Sequence, residues 1–176
     1  MRKQSPAACS MPEKPKVRTR KPRYPSRWST TPVNRCAKRK GELVELIFVV
    51  KATGLGFAVS KPYGDSEPYD LVVEANGRLL RVQVKSAFTT HRQGYSISTA
   101  RHRRGQLPHK YSARDIDFIA AYVAPLRVWY IVPVKETATR GHIFLYPMGA
   151  KNTQGGRYEK YREAWGLLRT RAKPAK

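Results

Sequence analysis

The chain has 176 residues, 40% of them hydrophobic, with 35 Lys and Arg against 12 Asp and Glu and a formal net charge of +23. That length suits a single domain with a core of its own, and the charge makes a polyanion the natural partner. No apolar run approaches the roughly 20 residues of a membrane-spanning helix, and no basic amphipathic helix with an aromatic anchor face stands out.

Residues 1–40 carry 13 Lys and Arg against one acid, Glu13, while the remaining 136 carry 22 against 11. The excess belongs to both parts, so the folded portion is itself basic. Residues 1–34 read as a disordered basic arm, with Pro6, Pro12, Pro15, Pro22, Pro25 and Pro32 strung between cations and little to bury. Residues 18–23 suit a phosphate backbone or a minor groove. The N-terminus lacks an apolar signal segment. Cys9 and Cys36 form neither a disulfide framework nor a zinc pattern, which makes a reduced cytoplasmic compartment the default.

Order is expected from about residue 35 to 170, followed by a short basic tail, 171–176. Across 37–53, Leu43, Val44, Leu46, Ile47 and Val50 recur at helical spacing, and Gly54 and Gly56 end the run. Residues 57–60 suit a short strand and 62–68 a polar turn. A hairpin follows over 69–88. Strands are expected at 95–98, 117–123, 128–134 and 142–146, with Pro125 breaking the second from the third. The basic run Arg101 to Gly105 reads as a loop. Residues 157–169 read as a closing helix, with Tyr161, Trp165 and Leu168 as its apolar seam. Helix, mixed strands and closing helix make an α/β or α+β domain.

The hairpin is the most informative segment. Asn76-Gly77 between alternating apolar runs is the strongest short-range hairpin signal, because both central residues of a type I′ turn need positive φ. With those two as the loop, Asp70 lies opposite Gln83, and Lys85 projects from the same face. Leu71, Val73, Ala75, Leu80, Val82 and Val84 fill the other face, so a one-residue slip would put charge into the core. A carboxylate, an amide and an ammonium thus gather at one end of a two-stranded ribbon. The plainer reading is an ordinary solvated sheet face.

In a basic protein those three groups suit metal-assisted phosphodiester hydrolysis. Magnesium takes oxygen ligands, usually one or two carboxylates with waters and substrate phosphate. Asp70 offers a carboxylate, Gln83 an amide oxygen and Val84 a backbone carbonyl; Lys85 would orient water or stabilise charge on the phosphate. The set is thin, so a further acid is expected from the first helix, where Glu42 and Glu45 both stand.

Asp70, then Gln83-Val84-Lys85 on the next strand, after a helix bearing Lys40-Gly41-Glu42-Leu43-Val44-Glu45, resembles the PD-(D/E)XK nuclease superfamily. More narrowly it resembles the branch with Gln at the second motif position, which includes group I intron-associated homing endonucleases. Tyr111, Asp115 to Phe118, Val128 to Pro133 and Tyr161 to Trp165 extend the likeness over roughly 37–169. The resemblance implies a restriction-endonuclease-like core, a mixed sheet of about four or more strands flanked by helices. It also implies Asp70 as the metal-binding aspartate, Gln83 at the second motif position, Lys85 as the catalytic lysine and Glu45 as the helix acid. Here Tyr69 precedes the aspartate, with Pro68 one place early, and Gln83 replaces an acid.

Asp115 and Asp117 alternate on one strand edge and read as structural, because one edge assembles no site by itself. His91, His102, His109 and His142 lack metal-ligand spacing. Arg92, Arg101, Arg103, Arg104 and Lys110 fit a nucleic-acid contact loop better. The functional expectation is a magnesium-dependent DNA endonuclease, with manganese as an alternative ion, acting as a homodimer or homotetramer. The alternatives are a nucleic-acid-binding protein on a lapsed nuclease scaffold and a Holliday-junction-resolvase-like nuclease.

Overall fold

The computed structural model describes residues 37–64, 66–91, 94–101, 105, 107–137, 140–149 and 156–170. The basic arm, the tail at 171–176, and Arg92, Arg103 and Arg104 lie outside the described residues. An 18-residue helix, α1 (Ala37–Gly54), is followed by strands β1 (Ala58–Ser60), β2 (Leu71–Ala75) and β3 (Arg78–Ala87). Next come β4 (Tyr95–Ser98), β5 (Ala100–Arg101), β6 (His109–Lys110), β7 (Phe118–Val123), β8 (Val128–Pro133) and β9 (His142–Leu145). No helix among the described residues is long and apolar enough to cross a membrane.

Five strands form a mixed sheet in the order β1-β2-β3-β7-β8, in which β3 and β7 are parallel and the other pairs antiparallel. This is a restriction-endonuclease-like α+β core. Asn76 and Gly77 have φ of 52° and 70°, as a type I′ turn requires. The register follows: Leu71 faces Val82, Val73 faces Leu80, and the Asp70 N–H donates to the Val82 carbonyl at 3.0 Å.

The sheet's two faces bury different sets. One packs Leu71, Val73, Leu80, Val82, Ala120 and Ile131 against Val44, Phe48 and Ala52 of α1. Phe48, Trp129 and Trp165 meet there with ring centroids 5.3–5.9 Å apart, in edge and tilted geometries that aromatic pairs favour. The other buries Ile119, Ala121, Tyr130 and Val132 under the β4–β9 ribbon, through Tyr95, Ile97, Ile143 and Leu145. A ribbon therefore covers the face opposite α1.

Three sequence expectations are corrected. The buried stripe of α1 is Val44, Phe48 and Ala52, whereas Leu46 and Val50 are exposed. Apolar spacing alone selects neither of the two faces, and the aromatic anchor Phe48 decides between them. Residues 157–169 do not form one helix but two short 3-10 turns, Glu159–Tyr161 and Trp165–Leu168. Glu163 between them has φ 47°, its N–H donates to the Trp129 carbonyl at 2.8 Å, and Arg162 bridges to Tyr130. Pairing with the edge of β8 overrides local helix propensity, while Tyr161, Trp165 and Leu168 are still buried. Arg101 belongs to β5, paired with His109 of β6, and is not in a loop.

Candidate active site

β3 is twice as long as β2, so it runs on past the point where β2 begins. At this fork the Val84 N–H no longer faces a strand, and the Asp70 carboxylate takes its place, accepting from Val84 N at 2.8 Å on Oδ2. The Gln83 amide nitrogen donates to the same oxygen. Gln83 is only 6% exposed, and its register partner on β7 is Ile119, while Lys85 faces Ala121. Alternation puts Gln83 and Lys85 on the same sheet face. Asp70, Gln83 and Lys85 share two clefts, one toward α1 and one toward β5 and β6.

The α1-side cleft, of about 580 Å³, also receives Glu42, Glu45 and Val84. Helix and hairpin thus bring every expected ligand residue to one place, with both helix acids present. Glu45 accepts from Lys61 Nζ at 2.7 Å. The β5/β6-side cleft is lined by Ser98, Arg101 and Tyr111, with Glu67 on the rim of both clefts. The Lys85 ammonium sits 5.5 Å from the centre of the Tyr111 ring, a cation–π distance.

The electrostatics follow from a partly buried site crowded with charge. Burial raises the Asp70 carboxyl above its ordinary value of 3.8; Glu45 adds to this, and the Val84 N–H, Lys85 and Gln83 oppose it. Burial lowers the Lys85 ammonium below 10.5, helped by Arg101 and opposed by Asp70 and Glu45. Burial likewise pushes the Tyr111 phenol up to about 12, with Asp70 contributing. In the α1-side cleft Lys61 is raised, first through its bond to Glu45.

The fold family implies a divalent ion, and the donor chemistry fits one. Asp70 and Glu45 are hard oxygen donors on a shared cleft, and both hydrogen bonds to Asp70 fall on Oδ2. Among the described residues no group of three or more His, Cys, Asp and Glu is arranged to hold an ion. An ion held here would draw on the Val84 carbonyl, waters and substrate as well, as magnesium sites commonly do. Gln83 differs from expectation: its nitrogen, and not its oxygen, faces Asp70 and comes within 3.4 Å of the Val84 carbonyl. Here the amide buttresses the aspartate.

The remaining candidates separate clearly. Arg101 reaches the cleft and donates to the Ser66 carbonyl at 3.0 Å. Lys110 lies across from Ala100 on β6. Asp115 and Asp117 are structural, as expected. Asp115 Oδ2 accepts from the Ser112 N–H and hydroxyl, and Asp117 takes the Arg81 backbone N–H and guanidinium. Lys61 and Glu67 carried no sequence signal, and Tyr111 stood only within the family likeness. The one available clue was electrostatic, since converging acids need a nearby cation.

Comparisons with known proteins identify the family. A family model described as PD-(D/E)XK endonuclease matches residues 36–168. The solved structure of a bacterial homing endonuclease, I-Ssp6803I, is similar at 35% sequence identity with a TM-score of 0.66, covering 75% of this chain and 92% of that one. The crystal structure of MepB is similar at 13% identity with a TM-score of 0.42, over 66% of this chain and 94% of that one, a level that carries no argument. No curated protein sequence matches. The matched span holds the whole sheet, the helix and all the residues gathered at the fork, and the chain belongs to the PD-(D/E)XK endonuclease family.

Proposed function

We propose that the chain is a magnesium-dependent DNA endonuclease that hydrolyses phosphodiester bonds in the manner of a homing endonuclease. The observation that carries this reading is the fork itself. One carboxylate is oriented by a backbone N–H and a buried amide, beside a half-buried lysine and a helix acid, in a chain of net charge +23. The similarity to a bacterial homing endonuclease supports DNA as the substrate.

In this reading Asp70, Glu45 and the Val84 carbonyl hold the ion, and Gln83 fixes the Asp70 rotamer. A divalent ion bound there supplies Lewis-acid stabilisation of charge on the phosphate. Lys85, held against the Tyr111 ring in a half-buried cleft, hydrogen-bonds the attacking water or the phosphate oxygen. Arg101 and Lys110, with the basic residues 92, 103 and 104, engage the DNA backbone, and the N-terminal arm adds further phosphate contacts. One site per chain cuts one strand, so double-strand cleavage needs a homodimer or a larger homo-oligomer.

The test is plasmid cleavage with magnesium, with EDTA, and with magnesium restored. Cleavage that stops with EDTA and returns with magnesium supports the reading. DNA binding without cleavage of linear, supercoiled or branched DNA under any of these conditions would point to a non-catalytic binding protein. Preferential cutting of four-way junctions would point to a resolvase.

A further inference from the structure

Glu42, Glu45, Glu67 and Asp70 all line the α1-side cleft. Carboxylates gathered this way repel one another unless a cation lies between them. Lys61 answers that need, because its Nζ donates to Glu45 Oε2 at 2.7 Å. The two partners are unlike. The Glu45 side chain is 19% exposed and fixed on a helix, whereas the Lys61 side chain is 59% exposed and stands just beyond the end of β1. The lysine is the partner free to leave. A divalent ion that takes Asp70 and Glu45 must recruit the carboxylate that Lys61 holds.

From this geometry we propose that Lys61 is a tethered counter-ion, which neutralises Glu45 in the metal-free protein and is displaced when a divalent ion enters. Lys61 thereby sets the ion concentration at which the site fills. The proposal rests on the metal-dependent reading above. The opposite role, a lysine that stays on Glu45 and orients it for the ion, predicts the opposite sign, so one measurement separates the two.

The experiment is Mn2+ binding to the full-length, DNA-free protein at low ionic strength, read from the electron paramagnetic resonance signal of free Mn2+. Lys61→Met is expected to bind roughly three- to fivefold more tightly than wild type, the scale of an exposed ion pair. Lys61→Arg is expected to match wild type. Glu45→Gln is expected to weaken binding, and adding Lys61→Met to it to tighten binding by less than it does in wild type, because the carboxylate that the lysine chiefly guards is gone. Weaker or unchanged binding in Lys61→Met, while Asp70→Asn and Glu45→Gln still weaken it, overturns this proposal and leaves the metal site standing. Absence of Mn2+ binding in wild type and Lys61→Met alike overturns both.

Discussion

Asp70 and Lys85 are both pushed toward their neutral forms, and in each the largest cause is burial at the fork. Their mutual attraction opposes the shift but does not cancel it. Replacing either by a neutral group of similar size is therefore expected to stabilise the fold while removing function, a trade common at active sites. Asp70→Asn keeps an oxygen for the Val84 N–H and should raise the melting temperature. Because the folded protein holds the Asp70 proton more tightly than the unfolded chain does, this carboxyl supports folding below pH 3.8 and that support fades as pH rises through its higher folded value. The stabilisation by Asp70→Asn should thus be small in acid and larger toward neutral pH. Lys85→Met should stabilise at neutral pH, with the gain closing as pH approaches 10.5. Calorimetry across pH checks both, and lower melting temperatures at pH 7 in both variants would show that attraction outweighs burial. Tyr111 acts through its ring, since its phenol, raised to about 12, stays protonated under ordinary conditions. Tyr111→Phe is expected to keep cleavage within about threefold, and Tyr111→Ala to lose on the order of tenfold or more.

At the scale of elements, the hairpin was legible and the C-terminal segment was not. Asn76-Gly77 fixes the turn, the turn fixes the register, and the register places Asp70 across from Gln83. All of that is local in sequence. Residues 157–169 share a helical apolar period, yet what shapes them lies some 30 residues away. The Glu163 carboxylate accepts from the Trp129 N–H at 2.8 Å and from the Trp165 indole N–H at 2.8 Å, and its backbone takes a left-handed φ to do so. Periodicity cannot report such a contact, nor the pairing of Lys61 with Glu45. Glu163→Ala should destabilise the protein by about 2 kcal/mol through the lost hydrogen bonds. Denaturant unfolding followed by tryptophan fluorescence reads the change, and an unshifted midpoint would mean that the clamp contributes nothing.

Over the whole molecule, charge and topology have separate tasks. The sheet, with α1 on one face and the β4–β9 ribbon on the other, holds the fork open between β2 and its central strand β3, between two clefts. In the proposed function the +23 charge of the chain draws a polyanion toward the fork. DNA affinity should therefore fall steeply with salt, with a log–log slope of magnitude about 5 or more if six or more phosphates are neutralised; a slope near zero would contradict an electrostatic grip. Binding and chemistry should also come apart cleanly. The direct test is single-turnover cleavage of plasmid DNA in magnesium by wild type, Asp70→Asn and Lys85→Met, with DNA affinity measured on the same samples. The fork predicts that both variants bind DNA within a few-fold of wild type and cleave at least roughly a hundredfold more slowly. Cleavage at the wild-type rate by either variant would contradict it.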